Sequence, residues 1–538
     1  MIIVRTLRLE RLLGVVATIA GAAAWFMFFR ADLILSHYDA KAHLVVARRV
    51  IDSLTPGWQQ VGAVWLPLPH LIQILPAQID ALYRTGAAGS FVSIACFGIT
   101  AYAMARLVIA ATGSRLGAAA STAVLVLNPN LLYLQATPMT EPLLIAVTAL
   151  VILWLFEWVT AGDARLPPRL AVALFAATWT RYEAWPVIAA AAGAALFALW
   201  RQGTPLPALA RRAAGLALWP LVAVLIFVIN SRITVGSWFV SGGFYVPDPL
   251  YQGRLAQTLL GVWWGTHELS GYGIAIVAVA GAAGIVVLAF RRATDARLLI
   301  PLALFAAAAL PLYAFYEGHP YRIRYMIPLV AASALAGGLA SGLAARLART
   351  AGPVVAFALV ASALIESPPW DRNAAMLLEA QWDRPASLGR RTVSECLART
   401  YRGDKVLASM GSLAHYMQEL SWHGFALADF IHEGNGVIWT AALESGPAPH
   451  AEAMLVEEQA EGGDVLAQRV RRDPAFIEGM TRTCEGGGVA LYSRDSLVKG
   501  QRSEVRGRYP GTFKPAFALC PLTCVTSYRP NRRPTVSW

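Results

Sequence analysis

Long apolar runs separated by short polar gaps dominate the first two thirds of the chain. Runs of roughly 17–25 apolar residues mark helices long enough to cross a bilayer. They fall at 12–29, 88–110, 116–132, 142–159, 170–180, 185–200, 214–230, 272–290, 298–316, 326–345 and 353–365. About eleven spans are therefore predicted, with those at 170–180 and 353–365 the shortest. The polar gaps differ in kind. Arginines occupy one alternate set: Arg5, Arg8 and Arg11, then Arg106 and Arg115, Arg165 and Arg169, Arg201, Arg211 and Arg212, Arg291, Arg292 and Arg297, Arg346 and Arg349. The bias of basic residues toward the cytoplasm puts these gaps and the N-terminus inside. The other set, 30–85, 133–141, 181–184, 231–270 and 316–325, then faces outward, with 30–85 and 231–270 as long loops. The apolar N-terminal stretch lacks a small-residue cleavage site before Arg30, so it is expected to stay as the first helix.

An odd number of spans places the chain from 367 onward outside as well. There the pattern changes: apolar runs shrink to strand length, and Glu, Asp, Gln and Ser appear. Residues 404–409 and 488–492 predict buried strands, and 414–420 and 465–472 predict helices, the last with a basic outer face before Pro474. The expected fold class is mainly α, a polytopic membrane helix bundle with a small extracytoplasmic α/β domain. Its parts are a membrane domain at 1–366, the soluble domain at 367–496, and a basic tail at 497–538 with little periodicity. The Gly-Gly pairs at 242–243 and 337–338 suggest a turn and a close helix contact, respectively.

Composition supports lipid as the main solvent. Of 538 residues, 57% are hydrophobic and 14% charged, against roughly 25% charged in soluble domains. The net charge of +12 would suggest nucleic acid in a soluble protein. Here the arginines sit between apolar runs and encode orientation, so no nucleic-acid partner is expected. Five cysteines do not make a disulfide scaffold. Cys96 reads as core, Cys396 and Cys484 could pair in an oxidising compartment, and Cys520 and Cys524 lie in the tail.

The candidate chemistry gathers on the outer side. Ionisable groups collected at one membrane boundary are functional by default. The outward gaps supply Asp39, Lys41, His43, His70, Glu141, Arg181, Glu183, His267, Glu268, Glu317, His319, Arg322 and Arg324. Asp39 follows the first span by about one turn. Held between apolar walls, its carboxylate would bind protons more tightly and serve as a general base. His43 would share its helix face. The alternatives are a helix cap at Asp39 and a metal site from His37, Asp39 and His43. Glu141 opens a predicted span, as a dipole-complementing acid or as a second acid facing Asp39. Arg181 and Glu183 form a mutual ion pair or line the same cavity. Arg322, Arg324 and Tyr325 lie in a basic, aromatic stretch suited to phosphate at headgroup depth, or to interfacial anchoring.

Four short motifs carry a family resemblance: Tyr38-Asp39-Ala40, Trp65-Leu-Pro-Leu-Pro-His70, Thr140-Glu141-Pro142 and Arg322-Ile-Arg324-Tyr325. With the alternation of gaps, they make residues 12–366 resemble the GT-C superfamily of integral-membrane glycosyltransferases. Within it, the chain looks like bacterial relatives of protein O-mannosyltransferases and lipid A aminoarabinose transferases. That family often has paired acids in the first loop, whereas Asp39 here is followed by Ala40. The resemblance implies an inverting glycosyltransferase of the bacterial cytoplasmic membrane. It would take a sugar from a polyprenyl-phosphate carrier to a glycan, lipid or protein acceptor on the outer face. Asp39 would deprotonate the acceptor, and Arg322 and Arg324 would stabilise the leaving phosphate. His43, His70, Glu141, Arg181, Glu183 and Tyr325 would bind substrate. No cofactor is implied, and a divalent metal is not supported. The rival readings are a transporter or flippase of lipid-linked sugars and a non-catalytic assembly subunit.

Overall fold

The computed structural model describes residues 2–240, 245–459 and 463–495. The Gly242–Gly243 turn, the tail from 497, Cys520 and Cys524 lie outside the described residues. Among the described residues, eight helices are long and apolar enough to cross a membrane: Leu9–Arg30, Ala87–Thr112, Glu141–Ala161, Ala184–Arg201, Leu206–Val235, Tyr272–Arg291, Ala293–Tyr316 and Ile323–Leu347. Shorter apolar helices at Arg115–Leu127, Pro168–Thr178 and Ala351–Glu366 occupy the other three expected runs. The chain is thus a multi-pass membrane protein.

Proline and asparagine redraw several expected boundaries. The run at 116–132 breaks because Asn128 caps a new helix, Pro129–Leu134, accepting a hydrogen bond from the Leu131 amide at 3.0 Å. The preceding helix ends there, as the residue before proline disfavours helical geometry. The run at 298–316 carries Pro301 and Pro311 and alternates α and 3-10 turns, since each proline removes a ladder donor. The long polar gaps also hold more helix than expected. Residues 30–85 contain Tyr38–Arg49, Leu68–Ala77 and Asp80–Thr85. The gap at 231–270 narrows at both ends, where Leu206–Val235 and Leu255–Ser270 are helical.

Ile327–Leu347 is the central helix of the bundle, buried along nearly its whole length. Small residues let its neighbours approach. A Cβ on Gly338 would lie 2.7 Å from the Gly117 carbonyl oxygen, and one on Gly117 2.4 Å from that of Gly338. The expected close helix contact at 337–338 is therefore present.

Beyond Glu366, two helices, Ala375–Gln381 and Arg384–Thr400, lead into a five-stranded sheet. Its strands are β1 (Val406–Ala408), β2 (Phe430–Ile431), β3 (Ala453–Glu457), β4 (Met480–Gly486) and β5 (Val489–Arg494), in the order β2-β1-β3-β5-β4. β1 pairs in parallel with β2 and β3, whereas β5 is antiparallel to β3 and β4. The expected helices appear at Leu413–Leu420 and Val465–Arg472. Cys396 and Cys484 form a disulfide, and Cys96 is free and buried. The sheet region shares a core with the segment that follows the first apolar helix: Leu44, Val45, Ala47 and Tyr83 pack with Val393, Leu397, Leu413, Tyr416 and Met417. The helix carrying Asp39 is thereby wedged between the bundle and the sheet region.

Candidate active site

Helix Tyr38–Arg49 begins at His37, whose extended backbone (φ −74°, ψ 133°) lets its Nδ1 accept a hydrogen bond from the Asp39 amide at 3.1 Å. The cap expected at Asp39 is thus His37 instead. Asp39 occupies the first turn, where the helix dipole favours a carboxylate. Arg324 comes from the far end of the chain, in the 3-10 turn Ile323–Met326 that opens the central helix. Its Nη2 pairs with Asp39 Oδ2, and its Nη1 lies 2.9 Å from His37 Nε2. Its Nε faces Glu141 Oε1 at 3.6 Å.

Arg181 continues the chain of charges. Its Nη1 is 3.1 Å from Glu141 Oε1 and donates to Thr140 Oγ1 at 2.8 Å, and its Nη2 donates to Glu183 Oε1 at 2.6 Å. Acids and guanidiniums therefore alternate: Asp39, Arg324, Glu141, Arg181, Glu183. Glu141 is fully buried and touches two cations at ion-pair distance, although neither contact has hydrogen-bond geometry. Three formal negative charges against two positive ones leave the row anionic.

The row forms one side of a cavity of about 530 Å³. Asp39, His43, His70, Arg181, Glu183, Arg324 and Tyr325 line it, along with aromatic walls from Trp65, Tyr182, Trp185, Phe239 and Tyr313. The lining sets charged groups on one side against aromatic and apolar walls on the other. His43 Nδ1 lies 3.0 Å from His70 Nε2, and Trp65 packs on His43 at 4.3 Å between ring centroids. Burial pushes both imidazoles down, His70 to about 3 and His43 well below its ordinary value. The pair is neutral at pH 7. Tyr325 Oη sits 3.3 Å from His319 Nε2.

Two expectations are corrected. Burial would raise the Asp39 pKa, but the adjacent Arg324 guanidinium, with His37, His43 and Arg322, outweighs it and holds the carboxyl well below the usual range. In this state Asp39 is a weaker base than its apolar setting suggested. Arg322 and Arg324 also do not stand side by side on the cavity wall. Arg322, in extended backbone just before the 3-10 turn, lies over the Trp382 ring at 5.8 Å and is absent from the cavity lining. Glu141 does stand near Asp39, but behind the cavity wall, as the link between the two arginines.

The metal set His37, Asp39 and His43 does not converge, because His37 faces Arg324 and Glu379 whereas His43 faces His70. Among the described residues no group of three or more His, Cys, Asp and Glu side chains is arranged to hold a metal ion. Sequence reasoning missed Glu379, which reaches the site from beyond the last apolar helix. Its surroundings, Leu377-Leu378-Glu379-Ala380, read as an ordinary amphipathic turn.

No family model matches the chain, and no curated protein matches it. Solved structures do. ArnT from Cupriavidus metallidurans bound to undecaprenyl phosphate superposes with a TM-score of 0.55 at 11% identity, covering 90% of this chain and 98% of that one. The apo state of the same protein gives 0.52 at 11% identity, covering 88% and 99%. The bundle and the sheet region together therefore have the GT-C fold of ArnT, a lipid A aminoarabinose transferase.

Proposed function

We propose that the chain is a glycosyltransferase that moves a sugar from a polyprenyl-phosphate carrier to an acceptor hydroxyl at the outer face of a bacterial cytoplasmic membrane, inverting the anomeric carbon. The observation that carries this reading is the joining of Asp39 and Arg324, from opposite ends of the membrane region, on one wall of a cavity with aromatic sides. The shared fold with a protein that binds undecaprenyl phosphate agrees with it.

In this mechanism the carrier chain lies along the aromatic wall and its phosphate reaches the guanidinium row. Because that row is anionic when empty, the phosphate must draw Arg324 away from Asp39. Asp39 then loses the cation that suppresses its basicity, and burial raises its affinity for protons. The acceptor hydroxyl gives its proton to Asp39 as its oxygen bonds the anomeric carbon. The bond from that carbon to the phosphate oxygen breaks, and its electron pair leaves with the phosphate. Arg324 and Arg181 stabilise the charge that grows there. Donor binding thus prepares the base, which restrains Asp39 until donor is present. His43 and Tyr325 orient the sugar and acceptor from the same wall.

The test is transfer of radiolabelled sugar from a polyprenyl-phosphate donor in membranes containing wild type or Asp39→Asn. A lost general base costs about 10²–10⁴-fold, so transfer by the variant should fall at least a hundredfold while its thermal unfolding stays cooperative. Undiminished transfer removes Asp39 from the mechanism. Label that crosses the membrane without entering a new bond would favour a flippase instead.

A further inference from the structure

Glu379 lies in helix Ala375–Gln381, between the last apolar helix and the sheet region. The helix is anchored on the bundle, since the Met376 amide donates to Asn130 Oδ1 at 2.9 Å. Glu379 Oε2 accepts a hydrogen bond from the Ile323 amide at 2.6 Å, immediately before Arg324. Oε1 lies 3.5 Å from His37 Nε2 and has no hydrogen-bond partner among the described residues. His37 in turn caps the helix that carries Asp39. One carboxylate therefore touches both strands of chain that meet in the Asp39–Arg324 pair.

We infer that Glu379 is a positioning residue that holds Asp39 and Arg324 in register by tying the His37 cap to the Ile323 backbone. Only a carboxylate suits both contacts. One oxygen takes the Ile323 N–H, and the other stands 3.5 Å from the His37 ring with the Arg324 guanidinium beyond it, so each faces a donor or a cation. Glutamine keeps one acceptor oxygen for the Ile323 amide but removes the negative charge that faces Arg324 and His37. Aspartate is one methylene too short to span the two. The arrangement gives the segment beyond the bundle a part in the site: displacement of Ala375–Gln381 would uncouple the two halves of the pair.

The kinetic test rests on the transferase reading, whereas a second measurement does not. Glu379→Gln should lower kcat about 10–100-fold, the scale of an ångström-sized misplacement, with the donor KM within about twofold. The acid limb of kcat/KM separates positioning from simple charge removal. Arg324, His37, His43 and Arg322 face Asp39. His37 and Arg324 face Glu379, with the phenols of Tyr133 and Tyr321 nearby. If Glu379 positions Arg324, its loss frees Asp39 and moves the limb to higher pH. Removal of one anion alone would move it lower. A limb that stays or moves lower overturns the inference. The second measurement is a thermal-unfolding cycle of Asp39→Asn, Glu379→Gln and the double variant in detergent. Non-additive shifts are expected, because Glu379 acts through the pair; additive shifts overturn the inference. Wild type that transfers no sugar sinks the transferase reading alone and leaves the cycle to decide on Glu379.

Discussion

Replacing Arg324 with glutamine would expose how much of the site one guanidinium holds. It pairs with Asp39, rests on His37 and faces Glu141, and is itself buried. Breaking a buried ion pair from one side costs about 3–5 kcal/mol. Glu141 keeps Arg181 at 3.1 Å, so most of the loss should trace to Asp39. The pH dependence carries the sharper signature. In wild type the folded pKa of Asp39 lies below the ordinary carboxylate value of 3.8. Its contribution to stability is present above that value and is lost only as pH falls through the depressed one. In Arg324→Gln burial of the carboxylate loses its main opponent, and the folded pKa rises above the unfolded one. Folded protein then takes up a proton more readily, and stability falls as pH climbs through the window between the two values. Each unit of upward movement is worth about 1.4 kcal/mol. Thermal unfolding in detergent from about pH 4.5 to 7.5 should therefore show wild type losing no stability from Asp39 and the variant declining toward neutral pH by up to that amount per unit. The same variant should lose about 10²–10³ in kcat, the scale for removing one stabiliser of developing negative charge. A variant destabilised equally at every pH would refute the electrostatic reasoning, because the guanidinium would then be acting as packing alone.

Arg322→Ala should leave transfer within about threefold of wild type, since Arg322 lies over Trp382 and does not line the cavity; a loss as deep as that of Arg324→Gln, measured in the same membranes, would restore it to the phosphate site. The disulfide between Cys396 and Cys484 joins residues 88 apart, so loop-closure entropy sets its contribution at about 4–5 kcal/mol at most. Cys396→Ser with Cys484→Ser should lower the unfolding temperature and remove the reductant sensitivity that wild type shows. Equal unfolding temperatures with and without dithiothreitol in wild type would contradict this.

Local pattern was enough for the outline. Apolar run length located the helices, because lipid penalises any unpaired backbone group and selects long helices whatever their neighbours. Strand-length apolar runs and the Gly-rich turn announced β1, β5 and the helices Leu413–Leu420 and Val465–Arg472. Several of the ionisable groups in the expected outward gaps, Asp39, His43, His70, Glu141, Arg181, Glu183 and Arg324, do gather in one place.

Which of those groups meet was decided by tertiary structure alone. His37 and Arg324 touch across 287 residues of sequence, and no periodicity carries a contact that long. Arg322 and Arg324 looked equivalent in the sequence, yet a 3-10 turn at Ile323–Met326 sends them to different surroundings. Burial of Asp39 was legible from its apolar flanks, but the sign of its pKa shift depends on a cation brought in by another helix. Glu379 carried no signal at all, because the groups it meets, the Ile323 amide and the His37 ring, come from distant parts of the chain. Sequence sets what each segment is, through short-range sterics and hydrophobicity; electrostatics at contact distance exists only once the segments have packed.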